Sequence, residues 1–435
     1  MSVEGSQATT PGPRVNRWLQ LLLAVLGMLA ISSPQYTWAI FSTSFIETLD
    51  VKVSELSVTM TVFSVCMFAF GPLYGFLLQR MRVSLYVAIG GVLIGLGWAL
   101  SAFASSLLLL YLSYGMLCGV GAGMVYLACM DLSAQWFPDR RGLALGLVSA
   151  GYSIGAMVST FPIIYALKSN GLDATLLASG LAIGILIVLA SISMRKRLET
   201  DVVPVNTTTP MVSTRSYSPR EILTMPSYWL LFTMMTLVAI GGMMVIAQMG
   251  HFAPSFGITP EVQVWGIAAL PLALTVSRFA NGITRPLFGW ISDHLGRENT
   301  MAFAFAMEGL TIYALLIWGH DPLMFVILIS LVFLGWGEIF SLFPATLADM
   351  FGPAHQPSNL GFLLMSIALA SFFGGPLAGL IYEAFNSWTP VFVIVSCFDL
   401  MAAALAVFVL KPMRRRDVGA NAQSMDSGAT LVRSI

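Results

Sequence analysis

From Trp18 to Leu410 the chain is a succession of apolar runs broken by short polar turns, most of them about 20 residues or longer. That is the length a helix needs to cross the hydrocarbon core of a bilayer. Lipid offers no hydrogen bonds, so each crossing must satisfy its own backbone N–H and C=O groups, as a helix does. This recurrence constrains the fold more than any motif, and it predicts an all-α membrane protein with many crossings. Composition agrees: 10% of residues are charged and 57% hydrophobic, with mean hydropathy +0.83. A soluble protein carries about 25% charged residues, and this chain has too few to cover a soluble surface. The net charge is zero, so there is no overall basic face for nucleic acid.

Hydropathy marks twelve spans, at about 18–46, 56–79, 83–105, 107–130, 142–167, 172–193, 226–250, 262–291, 299–319, 322–347, 360–383 and 387–410. The first is too long for a signal-peptide core. A polar stretch containing "RKRLETDVVPVNTTTPMVSTRSYSPRE" separates the sixth span from the seventh. The expected organisation is a disordered tail over 1–16, a six-helix half over 17–193, a linker over 194–225, a second six-helix half over 226–411 and a disordered tail over 412–435. Basic residues orient it. Placing both termini inside puts seventeen Lys and Arg on inner segments and only Lys52 and Lys168 outside. By the positive-inside rule both termini are therefore cytoplasmic, in a cell membrane. The linker's Asn206-Thr207-Thr208 sequon is inert on that side.

Two basic residues remain, Arg278 and Arg285, both inside the eighth span. Each costs roughly 2.5–3.5 kcal/mol at a bilayer centre, so each needs a wet cavity, a carboxylate or a substrate. Seven residues are nearly two helical turns, which puts both on one face, roughly 10 Å apart along the axis. The halves also repeat weakly. "GPLYGFLLQRM" (Gly71–Met81) aligns with "RPLFGWISDHL" (Arg285–Leu295) at an offset of 214, and Trp136-Phe137 with Met350-Phe351. In that alignment Arg285 meets Gly71 and Arg278 meets Ser64, so the arginines belong to one half only. Duplicated halves with a site between them near the midplane are the build of many secondary transporters.

The stretch "GWISDHLGR", with Gly289, Asp293, Gly296 and Arg297, resembles the loop motif of the major facilitator superfamily. Its glycines let helices approach closely, and its aspartate suits a neighbouring helix N-terminus. The first-half copy carries Gln79 in place of the aspartate. "QYTW" (Gln35–Trp38), "WFPDRRGLALG" (Trp136–Gly146), "NGITRPLFGWISD" (Asn281–Asp293) and "NLGFLL" (Asn359–Leu364) together resemble the oxalate:formate antiporter family. The arginine-proline pair also resembles monocarboxylate transporters. The resemblance spans about Arg17 to Pro412 and implies twelve helices in two pseudo-repeat halves. It also implies alternating-access exchange or proton-coupled transport of a small organic anion, by a monomer and with no cofactor. It assigns carboxylate binding to Arg285 and pocket positions to Gln35, Tyr36, Tyr126 and Trp336, with Phe340 where the family has tyrosine. The family's second cation, a lysine, falls on Ile367, and a pocket tryptophan falls on Leu364. One cation of the usual pair is therefore missing, and Arg278 is the candidate replacement.

Glu308, Glu338 and Asp399, in spans nine, ten and twelve, are candidates either to pair with an arginine or to couple protons. Glu338 stands closest in sequence to the pocket, beside Trp336 in "GWGEIF". Asp131 is expected in the cytoplasmic charge network with Arg140 and Arg141. Gly142, Gly146, Gly151 and Gly155 form GxxxG pairs that permit close helix packing. Four scattered histidines make no metal site, and the four cysteines show no CxxC. No phosphate-binding GxxxxGK[ST] occurs and no nucleophile–base pair suggests an enzyme. The competing readings are a drug or metabolite exporter, which would be indifferent to Arg285→Gln, and a transporter-like membrane sensor.

Overall fold

The structure, a computed structural model, describes residues 16–198, 201, 213 and 215–416. The Asn206 sequon and most of both tails lie outside the described residues. Within them the chain is helical except for one hairpin, in which Gln263–Val264 pairs antiparallel with Ile267–Ala268. Trp265 and Gly266 turn it, at φ 54° and 79°, the positive angles a two-residue hairpin loop requires. The eighth span therefore begins as a helix at Ala269 and not at 262, and runs to Leu295.

Among the described residues nine helices are long and apolar enough to cross a membrane. The number is ten if Glu55–Phe68 and Gly71–Arg80, bent by 45°, make one crossing. Two helices bear further on the number of crossings, one of them among the nine. Arg141–Ile192 is 52 residues long but breaks at Gly171 (φ 77°, ψ 179°). Unbroken it would span about 78 Å, far beyond a hydrocarbon core of about 30 Å. Ala269–Leu295 has the length but carries both membrane arginines.

Small residues set how closely these helices pack. Gly91 and Gly95 of helix Val83–Ser101 lie against Gly180 and Gly184. Tighter contacts join the segment before the linker to the segment after it. A Cβ on Gly289 would collide with the backbone of Gly142, and one on Gly146 with the backbone of Arg285 and Pro286. A Cβ on Gly71 would strike the backbone of Gly361, and one on Gly75 that of Pro357 and Ser358. All four lie towards one end of the bundle, here called the basic face, where Arg141, Asp293, Arg297, Asp349 and Arg414 meet.

Two sequence expectations change here. The final helix does not stop at 411 but continues to Arg416. It is held by Arg414, which is buried and pairs with Glu298 at 2.8 Å. Residues 412–416 are thus part of the bundle and not of a tail. Asp131 does not join Arg140 or Arg141. It accepts from Gln135 at 2.7 Å and its other oxygen has no partner among the described residues, while Arg140 lies nearest Asp139 and Arg141 pairs with Asp349.

Candidate functional site

Helix Ala269–Leu295 presents Arg278, Asn281 and Arg285 on one face, at i, i+3 and i+7. The two arginines have different surroundings. Arg278 is exposed and lines a cavity with Tyr36, Ser153, Ser277, Asn281 and Phe333. Its guanidinium carbon lies 5.3 Å from the Tyr36 ring centre, a cation–π contact. Arg285 lies deeper, 2% exposed. Its Nη1 donates to the Ser149 carbonyl at 2.7 Å and its Nη2 to Asn281 Oδ1 at 3.4 Å, and its guanidinium sits 4.4 Å from the Phe340 ring centre. Its Nε has no partner among the described residues.

Aromatic residues from other helices surround this arginine. Tyr36 ends the short helix Ser33–Tyr36, where the first span breaks before Trp38. Its ring meets Tyr152 edge-on at 5.7 Å, and Tyr152 meets Tyr126 at 6.1 Å. The Tyr152 hydroxyl donates to Gln35 Oε1. Trp336 stands edge-on to Phe340 at 5.4 Å and lies flat on Gly242. Gln35, Tyr36, Tyr126 and Phe340 are thus brought together around Arg285, with Trp336 behind Phe340. Four unpartnered polar atoms here share one chemistry. Arg285 Nε, Tyr126 OH, Ser153 Oγ and Trp336 Nε1 can all donate a hydrogen bond. A buried guanidinium among spare donors is suited to an anion that supplies acceptors.

Tyr152, Ser149, Ser153 and Asn281 were not singled out by sequence reasoning. Ser149, Tyr152 and Ser153 stand three and four residues apart in "GLVSAGYSIG", where the glycines drew the attention. Polar side chains on one face of an apolar span were the available signal.

The acidic candidates do not pair with either arginine, although Glu338 lies within electrostatic range of Arg285. Among the described residues no ion pair joins Arg278 or Arg285 to a carboxylate. The reason is geometric. Glu308 and Asp399 both face Gly241 inside the post-linker bundle, with Glu308 Oε1 and Asp399 Oδ2 3.1 and 3.3 Å from where a Cβ there would stand. Glu338 sits in the break between helices Pro322–Trp336 and Ile339–Phe351, fully buried. Ile367 and Leu364 are buried apolar residues at 0% and 3% exposure, so no lysine-like charge stands at that position.

The loop-motif residues form a lock at the basic face. Asp293 accepts from the backbone N–H of Gly142 and of Leu143, both at 2.9 Å. These are free donors of the first turn of helix Arg141–Ile192, where a carboxylate also meets the positive end of the helix dipole. Gly296 turns the chain at φ 89°. Arg297 then pairs with Asp293 at 2.6 Å and with Asp349 at 3.0 Å. Asp349 also takes Arg141 at 2.7 Å and Arg414 at 3.5 Å.

The family model of the Major Facilitator Superfamily matches residues 21–274 and 231–433. The chain is 31% identical over 410 residues to the "Oxalate:formate antiporter" of Oxalobacter formigenes, covering 92% of this chain and 93% of that protein. It is 23% identical over 447 residues to mouse (Mus musculus) "Monocarboxylate transporter 12", covering 95% and 90%. Among solved structures, the proton:xylose symporter XylE shares the fold at TM-score 0.69 and 12% identity, covering 91% of this chain and 96% of that one. The E. coli fucose:proton symporter FucP does so at 0.68 and 14%, covering 90% and 98%. With a helical multi-pass fold and a family match over nearly its whole length, the chain is a secondary-active membrane transport protein and belongs to the Major Facilitator Superfamily.

Proposed function

We propose that the protein carries small carboxylates across the cell membrane by alternating access, with Arg285 as the anion grip. The observation that carries this reading is the buried Arg285 guanidinium, unpaired with any carboxylate among the described residues and set among spare hydrogen-bond donors. The likeness to an oxalate:formate antiporter and to monocarboxylate transporters supports the same substrate class. Bidentate guanidinium–carboxylate pairing is the strongest grip available on a planar anion. Arg278, exposed in the cavity, meets the anion first and stands in for the cation lost at Ile367.

The carrier crosses the membrane twelve times, six in the segment before the linker and six in the segment after it. The break at Gly171 divides one long helix into two crossings, and the arginine-bearing helix Ala269–Leu295 adds another. The 214-residue offset supports the pseudo-repeat: Gly75 packs on Pro357 and its equivalent Gly289 on Gly142–Leu143. The basic face is cytoplasmic, a reading supported by the seventeen basic residues that this orientation places inside against two outside.

The test is uptake of radiolabelled oxalate, formate, lactate and pyruvate into liposomes holding the purified protein and preloaded with the same anions. Arg285→Gln removes charge-assisted hydrogen bonds worth about 1.5–3 kcal/mol, so apparent affinity should fall about ten- to a hundredfold. Arg278→Gln should raise KM by less. Unchanged uptake of every wild-type substrate in Arg285→Gln would sink the reading.

A further inference from the structure

We infer that Glu308 and Asp399 form a shared proton site inside the post-linker bundle, separate from the anion cavity, and that Glu338 couples it to Arg285. The inference rests on the carboxylate reading above and makes that transport proton-coupled.

The pair comes from two helices that pack tightly. Asp399 Cβ lies 3.0 Å from where a Cβ on Gly309 would stand, and one turn away Ser396 Oγ donates to the Gly309 carbonyl at 2.7 Å. Glycines from two further helices close the site. Gly241 faces both carboxyl groups, and Gly335 abuts Glu308 Cβ, 2.7 Å from its own Cβ position. Both acids are 0% exposed, and none of their four oxygens has a hydrogen-bond partner among the described residues. Glu338, itself fully buried and with neither carboxyl oxygen hydrogen-bonded among the described residues, stands three residues after Gly335, which abuts Glu308. It directly follows Gly337, whose Cβ position lies 2.9 Å from the Asn281 carbonyl oxygen on the arginine-bearing helix, and it lies within electrostatic range of Glu308, Asp399 and Arg285.

The charged groups facing the pair are thus Glu338 and, beyond it, Arg285. Helix Pro226–Phe252 offers Gly241, and helix Pro322–Trp336 offers Gly335 and Trp336. Two adjacent carboxylates with no cation paired to them among the described residues are very costly in a dry interior. The cost is relieved when the acids hold a proton between them and titrate as a unit.

The coupling has a definite sign. An anion bound at Arg285 adds negative charge on the side of Glu338 and strengthens proton binding at the pair. By linkage a proton on the pair strengthens anion binding equally. Anion binding takes the pair from one shared proton to two; when the anion and the second proton leave, the shared proton stays and the single remaining negative charge offsets Arg285, so the empty carrier can turn over. The proton is taken from water on one face and returned to water on the other, and no other species is consumed.

The experiment follows protons and anion together. Purified protein in lightly buffered detergent solution receives oxalate, formate, lactate or pyruvate between about pH 6 and 8, where simple carboxylates are ionised. Tryptophan fluorescence reports binding and a pH-indicator dye reports proton uptake. Wild type should take up protons as it binds, with affinity weakening as pH rises. The double variant Glu308→Gln, Asp399→Asn should still bind, with the proton uptake and the pH dependence of affinity both lost. Binding without proton uptake in wild type overturns the inference whatever the variant does. Proton uptake that persists in a folded double variant, or in Glu308→Gln alone should the double variant not fold, overturns it too. Wild type that binds none of the four anions instead defeats the carboxylate reading, and the coupling falls with it.

Discussion

Asparagine in place of Asp349 should lower the melting temperature of the purified protein far more than glutamine in place of Arg141. Asp349 is the acceptor for three guanidinium groups, at 2.7 Å from Arg141, 3.0 Å from Arg297 and 3.5 Å from Arg414. All four side chains are at most 8% exposed, so water screens them little. Removing one partner of a buried pair typically costs about 3–5 kcal/mol, because the charge left behind stays buried and uncompensated. Asparagine retains some hydrogen bonding, which places it at the lower end. Arg141 is the only one of the three arginines from the pre-linker segment. Losing it leaves Asp349 paired with Arg297 and Arg414. Arg141→Gln should therefore loosen the basic face without unfolding the bundle, and labels across that face should show wider separations. Equal melting temperatures for the two variants would contradict this division of labour.

Gly289→Ala should hold the basic face open and depress transport. The new Cβ would lie 2.6 Å from the Gly142 carbonyl carbon and 3.2 Å from the Leu143 nitrogen. These are backbone atoms and cannot rotate away. Overpacking of this kind costs about 1–3 kcal/mol, and here it penalises only the arrangement in which the two segments touch. A conformational equilibrium biased by that amount shifts about 5- to 150-fold. Spin-label distances across the basic face should lengthen while the melting temperature changes little. Gly250→Ala is the control, because nothing among the described residues lies within 4 Å of its Cβ position. If Gly289→Ala transports like Gly250→Ala, the close contact is not part of the cycle.

The membrane-spanning helical class was legible because lipid imposes length and apolarity on every crossing. The ends of the elements were less so. Trp265 and Gly266 read as part of an apolar run, yet their backbone angles make a hairpin that delays the helix to Ala269. Arg414 read as tail charge because its partner Glu298 lies 116 residues away. The grouping of Gln35, Tyr36, Tyr126 and Arg285 came from resemblance to a family, since no local pattern predicts which faces of distant helices meet. Tyr152 was missed for that same reason. The acids show the limit most sharply: sequence leaves Glu308 and Asp399 open between pairing with an arginine and coupling protons, and no local pattern predicts that both face Gly241.

The unequal depth of the two arginines has a kinetic consequence. Charges in contact with solvent are screened by dissolved ions, with a Debye length of about 10 Å at 0.1 M ionic strength, while buried ones are screened much less. Arg278 is exposed to the cavity and Arg285 is closed off beneath Tyr36 and Asn281. Raising the ionic strength with an inert salt should therefore slow capture of the anion and raise KM, with little effect on the rate at saturation. In Arg278→Gln that salt sensitivity should largely disappear.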